Sequence, residues 1–395
     1  MIDDFLRYQT QTTPSPMGLS VARAQGSYVY DTDGKPYLDF VAGVSACSVG
    51  HCHPKVVAAI QKQAQEYLHV MVYGEFAQGP AVAICKQLAA HLPDTLESTY
   101  LVNSGTEAIE AALKLARIAT GRTELIYAQN AYHGNTMGAM SVMDYDQRKA
   151  PFEPLIPDCR SIPFNEVAAL DTITEQTAAV ILETIQGGAG FIVPDKHYMT
   201  QVRKRCTEVG ALLILDEIQP GFGRTGRLFA FEHFDIVPDV LVMGKGMGGG
   251  LPIGALSASQ ELMKRFSTQP KLGHITTFGG HPLIASAALA TLEIITEPHF
   301  MNDVQRKEVL IRQHLQHPLI DEIRGMGLML AMIMPHKEIA DKVVLTCQER
   351  GLLLFWLLYE ERAVRLTPPL TVSEDEITEG CRLILQVLDE IHENT

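Results

Sequence analysis

No apolar run in the 395-residue sequence approaches the length of about 20 residues that a bilayer-crossing helix needs, so no membrane partner is expected. No block of basic residues could track a phosphate backbone. The 46 acids outnumber 32 bases, the formal charge is −14, and both signs are spread along the chain, which argues against nucleic acid. The seven cysteines are odd in number, far apart and free of any CxxC pair. That pattern excludes a disulfide framework and suits small core residues in a reducing compartment. The opening MIDDFLRYQTQTTPSP carries acids where a secretory signal carries bases, and no apolar segment follows, so a cytoplasmic protein is expected. Internal repeats and low-complexity segments are also missing. A metal site could be read into His51, Cys52 and His53, but neighbours in sequence cannot converge on one ion without irregular backbone. No distant second cluster joins them, so a packed turn before a helix is expected and no metal.

What is present is a globular composition, 46% hydrophobic and 20% charged, long enough for a large core and two domains. SYVYDTDGKPYLDF reads as a hairpin turning at Asp33 and Gly34. A helix from Pro54 would put Val57, Ile60, Ala64 and Leu68 on its apolar face. From about residue 98, short apolar runs (TYLVN, ELIYAQ, AAVILET, ALLILDE, DVLVMG) alternate with amphipathic helices. That alternation predicts an α/β fold, a mostly parallel sheet covered on both faces, with ligands outside the carboxyl ends of its strands. After about residue 300 comes a smaller α+β unit of about 95 residues, ending in a helix opened by a capping box at Ser373 and Glu376. The expected division is 1–50 as an N-terminal segment contributing to the small domain, 51–300 as a large ligand-binding domain and 301–395 as the small domain.

The strand ends carry the chemistry. After LVN, the turn Asn103–Gly105 enters a helix striped by Ile109, Ala112, Leu113 and Ala116. Its free N–H groups, with the hydroxyls of Ser104 and Thr106, make a seat for phosphate, although alone the turn is also an ordinary helix cap. After ELIYAQ comes Tyr132, an aromatic that could stack on a flat ring, with the less telling His133 beside it. Asp216 and Glu217 emerge from a buried strand and require cations or strong donors. The last station, Lys245, stands among six glycines in DVLVMGKGMGGGLPIGA. GKGMGG matches the dinucleotide pattern G-x-G-x-x-G, but it lies deep in the chain and runs into LPIGA rather than a helix. A lysine in a desolvated pocket can lose its proton and condense with a carbonyl. Phosphate seat, aromatic shelf, buried aspartate and lysine together fit pyridoxal 5'-phosphate, whose pyridine nitrogen an aspartate keeps protonated.

The blocks NSGTEAIEAALKLAR, AYHGNT, LETIQGGAG, LDEIQPGFGRTG, MGKGMGGGLPIGA, TTFGGHPL and VRLTPPLTVSEDEI run in order from about residue 25 to 390. In these the chain resembles class III aminotransferases, pyridoxal phosphate enzymes of fold type I, in the pattern of acetylornithine and ornithine aminotransferases. The resemblance implies that Lys245 links covalently to the cofactor and Asp216 meets its pyridine nitrogen. It implies that Gly105 and Thr106 hold the phosphate, that Thr277 reaches the phosphate of a neighbouring subunit, and that the protein is a homodimer with shared active sites. Tyr132 and Ile218 would sandwich the ring, Gln219 would lie near its phenolic oxygen, and Glu183 would stand buried behind it. Two positions depart from the family. Where HGRT supplies an arginine for a substrate carboxylate this chain has Asn135, and where QGEGG supplies a glutamate to pair with the C-terminal arginine it has Gly188. Arg365 is thereby left without its usual partner and free for the carboxylate of 2-oxoglutarate or glutamate, unless Arg160 or Arg224 takes over a lost clamp. The expected activity is a transaminase moving an amino group from a diamine, ω-amino acid or related amine to a 2-oxo acid, with 2-oxoglutarate foremost. The alternative within the family is an aminomutase, racemase or lyase. A pyridoxal phosphate binding module without activity finds no support, because no helix-turn-helix extension or basic arm is appended.

Overall fold

The computed structural model describes residues 1–71, 74–268 and 270–393. Its centre is a seven-stranded sheet in the order Ser98–Val102, Gly254–Ala258, Val240–Gly244, Leu212–Asp216, Thr177–Glu183, Glu124–Ala128, Cys159–Ile162. All neighbouring pairs are parallel except those made by Gly254–Ala258, which runs antiparallel to both its neighbours. Thr177–Glu183 and Val240–Gly244 are buried at every position, as strands covered by helices on both faces must be. The helix Gly105–Thr120 lies on the sheet through Ala108, Ile109, Ala112, Leu113 and Ala116, and Gly121 closes it at φ +68°.

Register decides what meets at the edge of this sheet. Asp216 pairs with Glu183 on one side and with Val242 on the other, and Gly244 pairs with Gly254. Glu183 and Asp216 are therefore level, and the next strand runs two residues past Val242 before Lys245 leaves it at the same edge. This carboxyl edge is where open α/β sheets bind ligands.

A second apolar core joins Leu38 and Phe40 to Val304, Leu330, Val344, Val364, Leu366 and Ile384. It lies beneath the four-stranded sheet Glu322–Met326, Met329–Ile333, Ala363–Leu366, Phe355–Trp356. The N-terminal strands Val21–Gln25, Tyr28–Asp31 and Pro36–Asp39 form another sheet, completed by Leu352–Leu353. The predicted capping box is formed: the Ser373 amide donates to Glu376 Oε2 (2.7 Å) and the Glu376 amide to Ser373 Oγ (3.2 Å).

Several expectations change. In the helix Pro54–Glu66 the buried residues are Val56 and Gln63, whereas Ala64 is exposed and Leu68 lies beyond the helix end with its side chain in solvent. The apolar face is thus one residue out of phase with the predicted stripe. Gln63 is admitted to the interior because its amide donates to the Tyr67 carbonyl (3.0 Å). The strands Cys159–Ile162 and Gly254–Ala258 went unpredicted: the first is short and half-buried at the sheet edge, and the second is read as a continuation of a glycine loop. GKGMGG forms a single 3₁₀ turn, Lys245–Gly248, and leads to a strand, so it is no dinucleotide loop. Around His51, the ring Nε2 pairs with Asp39 Oδ2 (2.8 Å), and His53 Nδ1 accepts the Lys55 amide (3.3 Å) at the helix start. Among the described residues no three His, Cys, Asp or Glu side chains are grouped to hold a metal, and no helix is long and apolar enough to cross a membrane.

The antiparallel strand presses on the predicted phosphate turn. A Cβ at Gly254 would lie 2.0 Å from the Ser104 carbonyl oxygen, a backbone atom that also accepts the Ala108 amide. Gly254→Ala is expected to cost about 1–3 kcal/mol through overpacking, read from the midpoint of a urea melt. An unchanged midpoint would show that the turn is not braced on this strand.

Candidate active site

Lys245 leaves the strand Val240–Gly244 with φ +39°, a left-handed conformation that costs a non-glycine residue energy and occurs most often at functional positions. The residue as a whole is half-buried. Burial lowers its pKa to about 8, the charge of Arg365 pushes the same way, and Asp216 and Glu183 oppose both. A substantial neutral fraction therefore exists near neutral pH, which an ordinary lysine lacks.

Asp216 is buried and anchored at both oxygens: Oδ2 is 2.7 Å from His133 Nδ1, and Oδ1 accepts the Ile218 amide at 3.0 Å. With the carboxylate accepting, the imidazole proton is assigned to Nδ1, and the buried Nε2 is left without a partner. His133 is thus the residue that aims Asp216, a role the sequence reading barely weighted. Its only signal was its place beside Tyr132 after a sheet strand.

Glu183, also buried, accepts the amides of Tyr132 (2.7 Å) and Gly187 (2.6 Å) and so fixes two loops around the edge. Burial raises its pKa to about 7 against the opposing charge of His133. Glu217 does not face a ligand, although the sequence placed it beside Asp216 as a candidate. Its oxygens accept Ala230 N (2.7 Å), Phe231 N (2.7 Å) and Thr184 Oγ1 (3.0 Å), so its desolvation is met by three protein donors. Consecutive residues of a strand point to opposite faces, which separates the two acids.

At the start of the helix Gly105–Thr120, Ser104 Oγ accepts the Glu107 amide (3.3 Å) and Thr106 Oγ1 lies 2.8 Å from Thr136 Oγ1. Ser104 is therefore already an acceptor as the helix cap, and only its O–H proton is available to a phosphate. The amides of Gly105 and Thr106 lie in the first turn and lack intrahelical acceptors. Gly105 is needed for space: its Cβ would come within 2.7 Å of Ile218 Cδ1. Gln219 Nε2 donates to Ser45 Oγ at 3.3 Å, and Asn135, which is exposed, donates to Tyr132 Oη at 3.1 Å. Thr277 is exposed in the loop before the helix Pro282–Ile295.

The two departures are equally concrete. Gly188 leaves its space to Tyr359: a Cβ there would be 3.0 Å from that ring, and the Tyr359 amide donates to the Gly188 carbonyl at 2.9 Å. Arg365 is 6% exposed, yet among the described residues its Nε and Nη1 have no hydrogen-bond partner, and its Cζ lies 5.5 Å from the centroid of the Phe191 ring. Burial lowers its pKa to about 10. Both proposed substitutes for a lost clamp are engaged elsewhere, although Arg224 lies near enough to Arg365 for their charges to oppose each other. Arg160 is tied to Glu124 (3.2 Å) and the Thr172 carbonyl (2.8 Å), and Arg224 to the Leu328 carbonyl (3.1 Å) and the Pro368 carbonyl (2.5 Å).

Helix-start amides, a partly neutral lysine, a carboxylate held in register and unpaired buried atoms on His133 and Arg365 fit pyridoxal 5'-phosphate with an anionic substrate beside it. With the mostly parallel sheet, they define a pyridoxal phosphate enzyme of fold type I. The Aminotransferase class-III model matches residues 9–388. The chain is 38% identical to the acetylornithine aminotransferase of Methanopyrus kandleri over 370 residues, 92% of this chain and 93% of that protein. It is also 38% identical to that of Bacillus subtilis over 376 residues, covering 94% and 95%. Its fold matches the ornithine aminotransferase of Toxoplasma gondii ME49 with a TM-score of 0.92 at 31% identity, across 100% of this chain and 96% of that one. The chain belongs to the class III aminotransferases, which are pyridoxal-phosphate-dependent enzymes.

The lowered pKa gives a direct test. Reductive methylation of cofactor-free protein, mapped by mass spectrometry, is expected to modify Lys245 with a rate that rises roughly tenfold per pH unit and levels above about pH 8. Other lysines keep gaining rate toward pH 10. A Lys245 profile parallel to theirs would show that the ε-amine is not shifted.

Proposed function

We propose that this aminotransferase takes the amino group from a primary amine at the end of a carboxylate-bearing chain and passes it to a 2-oxo acid, 2-oxoglutarate foremost. The relatives named for acetylornithine and ornithine support that donor class, since both molecules carry a terminal amine remote from a carboxylate. The observation that carries the acceptor side is the buried, unpaired guanidinium of Arg365. An uncompensated charge in the interior is costly, and a planar carboxylate matches its fork with two charge-assisted hydrogen bonds.

Each residue then has a task. The amides of Gly105 and Thr106 bind the cofactor phosphate, and Tyr132 and Ile218 bound the ring. Asp216, aimed by His133, keeps a proton on the pyridine nitrogen. Pyridoxal phosphate, when bound, supplies an aldehyde that condenses with amines and a ring that accepts electron density. Lys245 would anchor the cofactor and, once free, would carry the proton taken from the donor carbon; burial lowers the pKa of its amine to about 8, where it can both take and return one. Gln219 would donate to the cofactor's phenolic oxygen, and Glu183 fixes the loops at Tyr132 and Gly187. Thr277, which is exposed, would reach the phosphate of a second copy, and the working unit would then be a homodimer.

Arg365→Ala is expected to raise the KM for 2-oxoglutarate by about 10- to 100-fold, the effect of losing one or two charge-assisted bonds. Return of the cofactor absorbance from its aminated to its aldehyde form follows the reaction. An unchanged KM for 2-oxoglutarate would refute the acceptor assignment, and cofactor that no amine converts would refute the transaminase.

A further inference from the structure

The donor also needs a partner for its remote carboxylate, and Asn135 cannot be a cationic one. A guanidinium does stand at the rim. Arg148, in the short helix Asp146–Lys149, lies over two aromatic rings, its Cζ 5.7 Å from the centroid of Tyr145 and 6.0 Å from that of Tyr359. The two rings are themselves 5.1 Å apart. Tyr359 is the side chain that fills the space above Gly188, and its hydroxyl donates to the Ala131 carbonyl at 3.4 Å, next to Tyr132. The charge of Arg148 is felt at both phenols: burial raises the pKa of Tyr132 and of Tyr359, and Arg148 opposes the rise in each.

Three acids of this region are engaged, whereas Asp146, two residues before Arg148 in the same short helix, stands exposed. Asp144 Oδ2 accepts the Asn130 amide (2.7 Å), Glu360 pairs with Arg324 and Arg362, and Glu183 holds its two backbone amides. Among the described residues Arg148 makes no ion pair and no side-chain hydrogen bond. Stacking uses the faces of a guanidinium and leaves its N–H edge, a rigid set of donors suited to a planar anion.

We propose that Arg148, seated on Tyr145 and Tyr359, is the donor-side specificity residue and binds the remote carboxylate of the amine substrate. This rests on the donor class proposed above. It also explains the exchange of residues around it. A side chain at position 188 would press on the Tyr359 ring, 3.0 Å from its Cβ, so glycine there leaves room for the aromatic seat.

The test compares kcat/KM for putrescine, a terminal amine without a carboxylate, with that for whichever of N-acetylornithine, ornithine and 4-aminobutyrate the wild-type enzyme converts fastest. The carboxylated donor is expected to be preferred, and Arg148→Ala to lower that preference by about tenfold or more through KM, as loss of a charge-assisted pair does. Arg148→Glu is expected to reverse the preference toward putrescine, and Arg148→Lys to restore part of it. Equal preference in wild type and Arg148→Ala overturns this inference alone, whereas a wild type that prefers putrescine overturns it together with the donor class it rests on. A wild-type enzyme that converts none of these amines overturns the inference together with the function it rests on.

Discussion

The structure turns on charge held out of water without full compensation. Asp216 and Lys245 stand at the carboxyl ends of two apolar strands of the central sheet, and Arg365, from the strand Ala363–Leu366 of the smaller sheet, is near enough for its charge to act on Lys245. Only the aspartate is well satisfied, by His133 and the Ile218 amide. A protein selected for stability alone would pair or remove the other two, since an isolated buried ion is expensive. They are tolerable because each has a partner that arrives from outside: a carbonyl for the amine and a carboxylate for the guanidinium.

The scaffold must hold such groups apart while the site is empty, and the buried carboxylates show how. Glu217 takes three donors from the chain and ties the end of one strand to the segment at Ala230 and Phe231. Glu183 takes the amides of Tyr132 and Gly187. Burial raises the pKa of both to about 7, so neither is a simple anion at neutral pH, and their value lies in the hydrogen bonds they accept. The side chains that act on substrate can then stay unpaired, since the loops are fixed through others. Arg224 does the same at the junction with the second core, reaching the carbonyls of Leu328 and Pro368.

Much of this could be read in the sequence because strand ends announce themselves. Apolar runs that stop at Asp216 and Lys245 predict both the sheet and its ligand edge, since the ends of parallel strands lie on one side of the sheet. The helix stripe at Ile109, Ala112, Leu113 and Ala116 was legible for the same reason of period. What could not be read depended on contacts between distant segments. Nothing local distinguishes Glu217, which turns to the amides of Ala230 and Phe231, from Asp216, which turns to the site. His133 gains its meaning only from Asp216, 83 residues away. The helix Pro54–Glu66 was misphased because a satisfied glutamine, Gln63, takes a core position that hydrophobicity alone assigns to a neighbour.

The glycine at 188 shows why a missing residue can be as informative as a present one. From sequence it is a lost acid, and Arg365 appears merely unpaired. In space the vacated volume belongs to Tyr359, whose ring lies on Gly188 and beneath Arg148. The two arginines therefore differ in kind. Arg365 is buried, rigid in its strand and expensive to leave alone, which suits an obligatory partner common to every turnover. Arg148 is solvated at the rim and supported only by aromatic faces, so it can engage or release a chain of variable length at small cost. Recognition of the acceptor by the first and of the donor by the second would let one pocket admit two different anions in alternation, without an internal acid that must swing aside.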